Sequence, residues 1–193
     1  MLAIGGCAGA DDTLSVAAEI KTDAVQRREY PAEAQVTLNT GDCPVELVAV
    51  PSDDHEAITF MFSETLLSID RRAIHCHVGI DYKFPAGWRF WRPAAYARGY
   101  ELLSENEQRL ALAVQTRLAS GIPVSEFRLS QGPVDEDLQI DLDDGEVGGE
   151  APTECGATSA HIDVDLLGSL FVSGPAIATV DTIDTAIDWA PCE

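Results

Sequence analysis

The sequence predicts an all-β chain: an antiparallel β-sandwich, jelly-roll-like, closed by two disulfides. From Gln35 onward, short apolar runs alternate residue by residue and are split by turn residues, a pattern of period two rather than 3.6. Before it, around Leu14 to Ile20, the helical character is weak. Four cysteines, Cys43, Cys76, Cys155 and Cys192, are spread through the same β-like region without a CxxC spacing, as in a disulfide framework rather than a zinc knuckle.

The elements follow in order. Gln35 to Leu38 is a short run ended by the turn residues Asn39-Thr40-Gly41-Asp42. Val45 to Val50 follows and is stopped by Pro51, and Ile58 to Phe62 and Thr65 to Ile69 are the next runs. The clearest strand spans Ile74 to Phe84. Cys76, Val78, Ile80, Tyr82 and Phe84 face one side of it, and His75, His77, Gly79, Asp81 and Lys83 the other. Pro85-Ala86-Gly87 turns the chain into the aromatic run Trp88-Arg89-Phe90-Trp91. Glu105 to Ala119 has helix-forming composition, yet Leu110, Leu112, Val114, Thr116 and Leu118 alternate, and we read it as strand. Asp135 to Glu150, acidic and glycine-rich, reads as a long exposed loop. Ala160 to Leu166 alternates, with Ile162, Val164 and Leu166 opposite His161, Asp163 and Asp165, and Ile183 to Trp189 closes the chain. The division is a lipobox-like N-terminus and acidic tether over residues 1–34, with a loosely docked first helix as the other reading of the tether, and one sandwich domain over 35–193.

Charge narrows the choice of partner. Asp and Glu number 33 against 12 Lys and Arg, a formal net charge of −21. Lys21 and Lys83 are the two lysines, and no lysine or arginine follows Arg128. Such a surface repels nucleic-acid phosphates and anionic headgroups, which argues against nucleic acid and direct membrane adsorption. The acidity has two readings: solubility through self-repulsion, or adaptation to high salt.

Five cysteines leave one over when four are paired. The outlier is Cys7, in Ile4-Gly5-Gly6-Cys7, which resembles a bacterial lipobox with its aliphatic residue and two small residues before the lipidated cysteine. A lipoprotein signal carries a basic segment and a longer apolar segment upstream, so this reading places the true start earlier. The other reading of Cys7 is a spare thiol. Four cysteines allow three connectivities; sequential pairing, Cys43–Cys76 and Cys155–Cys192, closes two loops of comparable length.

From about Gly41 to Cys192 the chain resembles the family called domain of unknown function 4360, small exported proteins of fungi and bacteria. The residues that carry this are Gly41-Asp42-Cys43-Pro44, Cys76 entering a strand, Pro85-Ala86-Gly87-Trp88, Arg98-Gly99-Tyr100, Gly132-Pro133, Cys155-Gly156, and the ending Val180-Asp181-Thr182-Ile183-Asp184 with Asp188-Trp189-Ala190-Pro191-Cys192. The resemblance implies export, the four cysteines and a β-rich fold, and no activity. His75 and His77 depart from the asparagine and polar residue expected there, and the N-terminal cysteine points to a lipoprotein branch.

Several constellations are candidates for chemistry. His75 and His77 with Asp81 lie on one strand face, where a period of two aligns imidazoles for zinc or copper; the alternative is a solvated polar face. His161, Asp163 and Asp165 form a second such face. Asp141-Leu142-Asp143-Asp144-Gly145 is similar to a calcium loop, but its glycine falls at position five rather than six. Trp88, Trp91, Tyr96 and Arg98, with Phe90, Tyr100, Arg89 and Arg92 nearby, form the binding candidate, since exposed aromatics on a sandwich stack on sugar rings. The competing reading buries Trp88 and Phe90 in the core. No GxSxG elbow or other nucleophile motif occurs. The expected function is therefore an exported, extracellular or envelope binding module without catalysis, its partner a glycan, matrix component or surface protein. Its membrane contact would come through a lipid on Cys7, and it needs no cofactor beyond a loosely held calcium or zinc. The alternatives are a small secreted hydrolase using the His75/His77 face and a purely structural surface protein.

Overall fold

In the computed structural model, the described residues are 31, 35–40, 43–53, 56–63, 66–90, 94–118, 121, 123–142, 153–187 and 189–192. They contain thirteen strands and no helix: β1 (Gln35–Thr40), β2 (Leu47–Pro51), β3 (Ala57–Phe62), β4 (Leu67–Ser68), β5 (Ala73–Lys83), β6 (Trp88–Phe90), β7 (Ala94–Leu103), β8 (Arg109–Leu118), β9 (Val124–Gln131), β10 (Val134–Leu142), β11 (Ser159–Phe171), β12 (Ala176–Ala186) and β13 (Trp189–Pro191). A front sheet has the order β1-β5-β11-β8-β9 and a back sheet the order β10-β7-β12-β3-β2, with β4 beside β12 and β6 paired to β13.

The expected jelly roll is present strand by strand. Setting aside β1, β2, β4 and the small β6–β13 pair, eight strands remain. The first pairs with the last (β3 with β12), the second with the seventh (β5 with β11), the third with the sixth (β7 with β10) and the fourth with the fifth (β8 with β9). All of these pairs are antiparallel. That nested pairing, divided between two sheets, is the double Greek key.

Alternation decides what each strand buries. Ile74, Cys76, Val78, Ile80 and Tyr82 of β5 face Ile58, Phe60, Leu103, Leu138 and Val180 across the sandwich, all nearly inaccessible to solvent. Gly168 of β11 belongs to this inner layer: a Cβ there would lie 2.8 Å from Leu112 and Leu67 side-chain atoms, so its absence gives those leucines their space. Gly99 serves the back sheet differently. A Cβ would sit 2.0 Å from the Thr179 carbonyl oxygen, where β12 bulges between Val180 and Thr182 and its backbone closes on β7. Trp189 of β13 caps one end of the core, its indole edge-on to Tyr82 and Phe84 at 6.2 and 5.4 Å between ring centroids.

Both disulfides follow the sequential pairing. Cys43–Cys76 joins the β1–β2 connection to the middle of β5, and Cys155–Cys192 joins the approach to β11 to the end of β13. Such bonds persist in oxidising compartments.

Several boundaries differ from expectation. The acidic segment is a strand through Leu142, because Leu138, Ile140 and Leu142 alternate inward while Gln139 and Asp141 face out; residues 143–150 lie outside the described residues. The final run divides, since Ile183 belongs to a strand that begins at Ala176 and ends at Ala186, while Trp189 starts another. β2 starts at Leu47 rather than Val45 and ends on Pro51, which an edge strand tolerates. The turn over residues 105–108 precedes the alternating strand β8. Cys7 and the whole of residues 1–30 lie outside the described residues.

Candidate functional site

The outer face of the back sheet carries one line of aromatic and charged side chains. Ala95, Ala97 and Glu101 of β7 are fully buried, so strand alternation turns Tyr96, Arg98 and Tyr100 to the opposite, outer face. Register then gives each a polar neighbour on either side. Tyr96 lies between Asp141 and Asp184, Arg98 between Gln139 and Thr182, and Tyr100 between Asp137 and Thr179. The polar groups are already oriented. Gln139 donates to Asp141 at 2.9 Å, Thr59 donates to Asp184 at 2.7 Å, and the Tyr100 hydroxyl donates to Asp135. The Asp135 contact also raises the Tyr100 pKa above its ordinary value. Arg98 keeps 67% of its side chain exposed, 3.9 Å from Asp184. Four residues of strand separate the two tyrosines by about 13 Å.

The sequence-derived binding set is thus divided. Tyr96 and Arg98 come together, and Tyr100 joins them. Trp88 stands apart in the small β6–β13 pair, packed against the core, and Trp91 lies outside the described residues.

The front sheet carries a second constellation. His75, His77, His161, Asp81, Asp163 and Asp165 read as two separate faces along the chain, yet β5 and β11 pair so that His77 is opposite Asp165 and Asp81 opposite His161. They form one network that takes in three of the chain's four histidines. Asp165 Oδ1 meets His75 Nε2 at 3.0 Å and His77 Nδ1 at 2.9 Å. His161 Nδ1 meets Asp81 at 2.7 Å and its Nε2 meets Asp163 at 3.0 Å. Arg117 of β8 donates to the other Asp163 oxygen at 2.6 and 3.0 Å. Gly79 makes room for this: a Cβ there would stand 2.9 Å from His161 Cε1, so the imidazole lies across bare backbone between its two aspartates.

Asp81, taken from the sequence as a third ligand with His75 and His77, therefore belongs to His161 instead. Among the described residues no group of three or more His, Cys, Asp or Glu side chains is arranged to hold a metal ion. The hydrogen bonds and ion pairs of these three histidines among the described residues go to carboxylates.

The network makes stability depend on pH. The Asp81 hydrogen bond holds His161 above its ordinary 6.5, against an opposing effect of burial and with help from Asp163. Burial by itself raises Asp163, but Arg117 and His161 outweigh it and hold the carboxyl below its ordinary 3.8. A raised histidine stabilises fully below its unfolded pKa and loses that contribution as pH rises through the folded one. A depressed aspartate loses its contribution as pH falls. Thermal melts across the pH range should peak between about pH 4 and pH 6.5. His161→Asn should flatten the alkaline limb; an alkaline limb unchanged by that substitution would show that His161 does not carry it.

The fold and these two faces define a class: a disulfide-linked antiparallel sandwich presenting ordered polar side chains on open sheet surfaces. No family model matches the chain, and no curated protein matches it. Among solved structures it is similar to TmCBM61, a domain solved in complex with β-1,4-galactotriose, at 12% identity over 84% of this chain and 90% of that one, with a TM-score of 0.25. It is also similar to the enzymatically active domain of tailspike protein 4 of bacteriophage CBA120, at 10% identity over 82% of this chain and 19% of that one, with a TM-score of 0.21. At such scores the functional reading rests on this chain's own residues.

Proposed function

We propose that the protein is an exported, non-catalytic module that binds a glycan on the outer face of its back sheet. The observation that carries this is the line Tyr96, Arg98 and Tyr100, turned outward by alternation with the buried Ala95, Ala97 and Glu101 and edged by Asp, Gln and Thr side chains in register. Sugar rings present apolar C–H faces and a rim of hydroxyls that both donate and accept. Aromatic rings take the first, and planar acid, amide and guanidinium groups take the second. Jelly rolls host lectin domains, an analogy of fold alone. Export agrees with the two disulfides and with the resemblance to the domain of unknown function 4360 family. Attachment through a lipid on Cys7 belongs to the same reading. No helix among the described residues is long and apolar enough to cross a membrane.

Calorimetric titration with trisaccharides built from glucose, mannose, galactose or xylose tests the module. Tyr96→Ala and Tyr100→Ala should each weaken the bound sugar about tenfold, the loss of one stacking contact, with melting unchanged. A flat response across the panel, or full binding by the double variant, would refute the proposal.

A further inference from the structure

A cleft of about 550 Å³ opens on the outer face of the front sheet, where β1, β5 and β11 run side by side. Thr37, Asp81, Lys83, Ser159 and His161 line it. Register builds it in two rows: Thr37, Asp81 and His161 across one, and Gln35, Lys83 and Ser159 across the next. Among the described residues Thr37, Lys83 and Ser159 have no side-chain partner, so their donors are free. In a chain with two lysines and 33 acids, an unpaired lysine beside two free hydroxyls is a distinctive feature.

The state of His161 follows from its contacts. A neutral imidazole has one N–H and one lone pair. Both His161 nitrogens face carboxylate oxygens, at 2.7 and 3.0 Å, and two acceptors need two donors. The ring in this arrangement is the imidazolium, and it holds Asp81 by one oxygen at the cleft floor. The groups facing it are Asp81 and Lys83 of β5 and Asp163 of its own strand, with Arg117 of β8 and His77 of β5 on the far side of Asp163. Thr37, from β1, is uncharged.

We propose that this cleft is a second ligand site, which hydrogen-bonds neighbouring hydroxyls of a neutral sugar while His161 bridges Asp81 and Asp163. The inference rests on the glycan-binding function above and extends it to a separate surface. The ligand class follows from the donor set. Lys83, Ser159 and Thr37 donate and Asp81 accepts, the mixed set that adjacent hydroxyls require. Asp81 offsets the Lys83 charge and the net charge of −21 disfavours anions, so a neutral sugar fits this set better than a carboxylated or phosphorylated ligand. When His161 loses a proton, one carboxylate contact becomes lone pair against lone pair. The ring must then release one aspartate, and Asp81 loses its orientation.

The same four trisaccharides, titrated at pH 6 and pH 9 while the imidazole ¹⁵N resonances are recorded, test this. A bound sugar should shift the His161 signals, and should do so equally in the Tyr96→Ala/Tyr100→Ala background. Asp81→Asn and Lys83→Ala should each weaken that response about tenfold, as should the step from pH 6 to pH 9. In His161→Gln, checked for intact folding by circular dichroism, the pH step should have no effect. Sugar bound through the tyrosines with His161 signals unmoved would overturn the cleft and leave the function standing. Absence of binding at both pH values would overturn the function and the cleft with it.

Discussion

Arg128→Leu should cost the domain about 3–5 kcal/mol, read as a shift in the urea midpoint at unchanged slope. The reason lies at the open side of the sandwich, where β9 and β10 are the edge strands of their sheets. Glu101 of β7 points inward with no exposure at all. One of its oxygens, Oε1, receives Arg128 Nε at 2.8 Å, Arg128 Nη2 and the Ser130 hydroxyl at 2.9 Å. Glu136 of β10 takes the same guanidinium from the solvent side. Among the described residues the other Glu101 oxygen is buried without a partner, and Arg128 is the one countercharge holding this carboxylate in place. Removing it strands a desolvated charge, which is the expensive event. Removing both partners is a different case, because two apolar side chains can fill the space. Arg128→Leu combined with Glu101→Leu should recover most of the loss. A single variant costing less than about 1 kcal/mol would mean that water reaches Glu101.

Opening the Cys43–Cys76 bond by Cys43→Ala/Cys76→Ala should cost about 4 kcal/mol, the chain-entropy value for a loop of 33 residues. In a chain of this size that lowers the melting temperature by about 10 °C. Cys76 is 2% exposed in the middle of β5, so its replacement also thins the inner layer. The Cys155–Cys192 bond closes 37 residues and has nearly the same entropic value, but it ties two peripheral segments and leaves the core filled. The Cys43–Cys76 variant should therefore be the less stable of the two. Equal losses would mean that loop closure alone sets the effect.

How far each feature was legible depends on how local its cause is. The β5 and β11 alternation is written in consecutive residues, and every inward position read from it is buried. β10 was hidden, because its acids suggested a loop while Leu138, Ile140 and Leu142 carried the strand signal. β7 and β9 were missed for related reasons. Small Ala95 and Ala97 give little hydrophobic contrast, and β9 places Phe127 and Leu129 outward, 63% and 71% exposed, while Arg128 and Ser130 turn inward. That inversion of the usual pattern is also why Glu101 and Arg128 could not be paired by inspection.

The sites divide in the same way. Tyr96 and Arg98 could be named because aromatic and arginine residues cluster locally, but setting Trp88 apart from them needed the β6–β13 pairing. The two histidine faces were each visible, and their merger was not, since it depends on the β5–β11 register across about 80 residues of chain. By itself the sequence determined the all-β class, the inward faces of β5 and β11, the four paired cysteines and a net charge of −21. Tertiary structure alone decided the nested strand order, the joining of His161 to Asp81 and the burial of Glu101 against Arg128. Alternation specifies which side of a strand is apolar but says nothing about its neighbour. That choice is made by packing two twisted sheets against each other over a shared core.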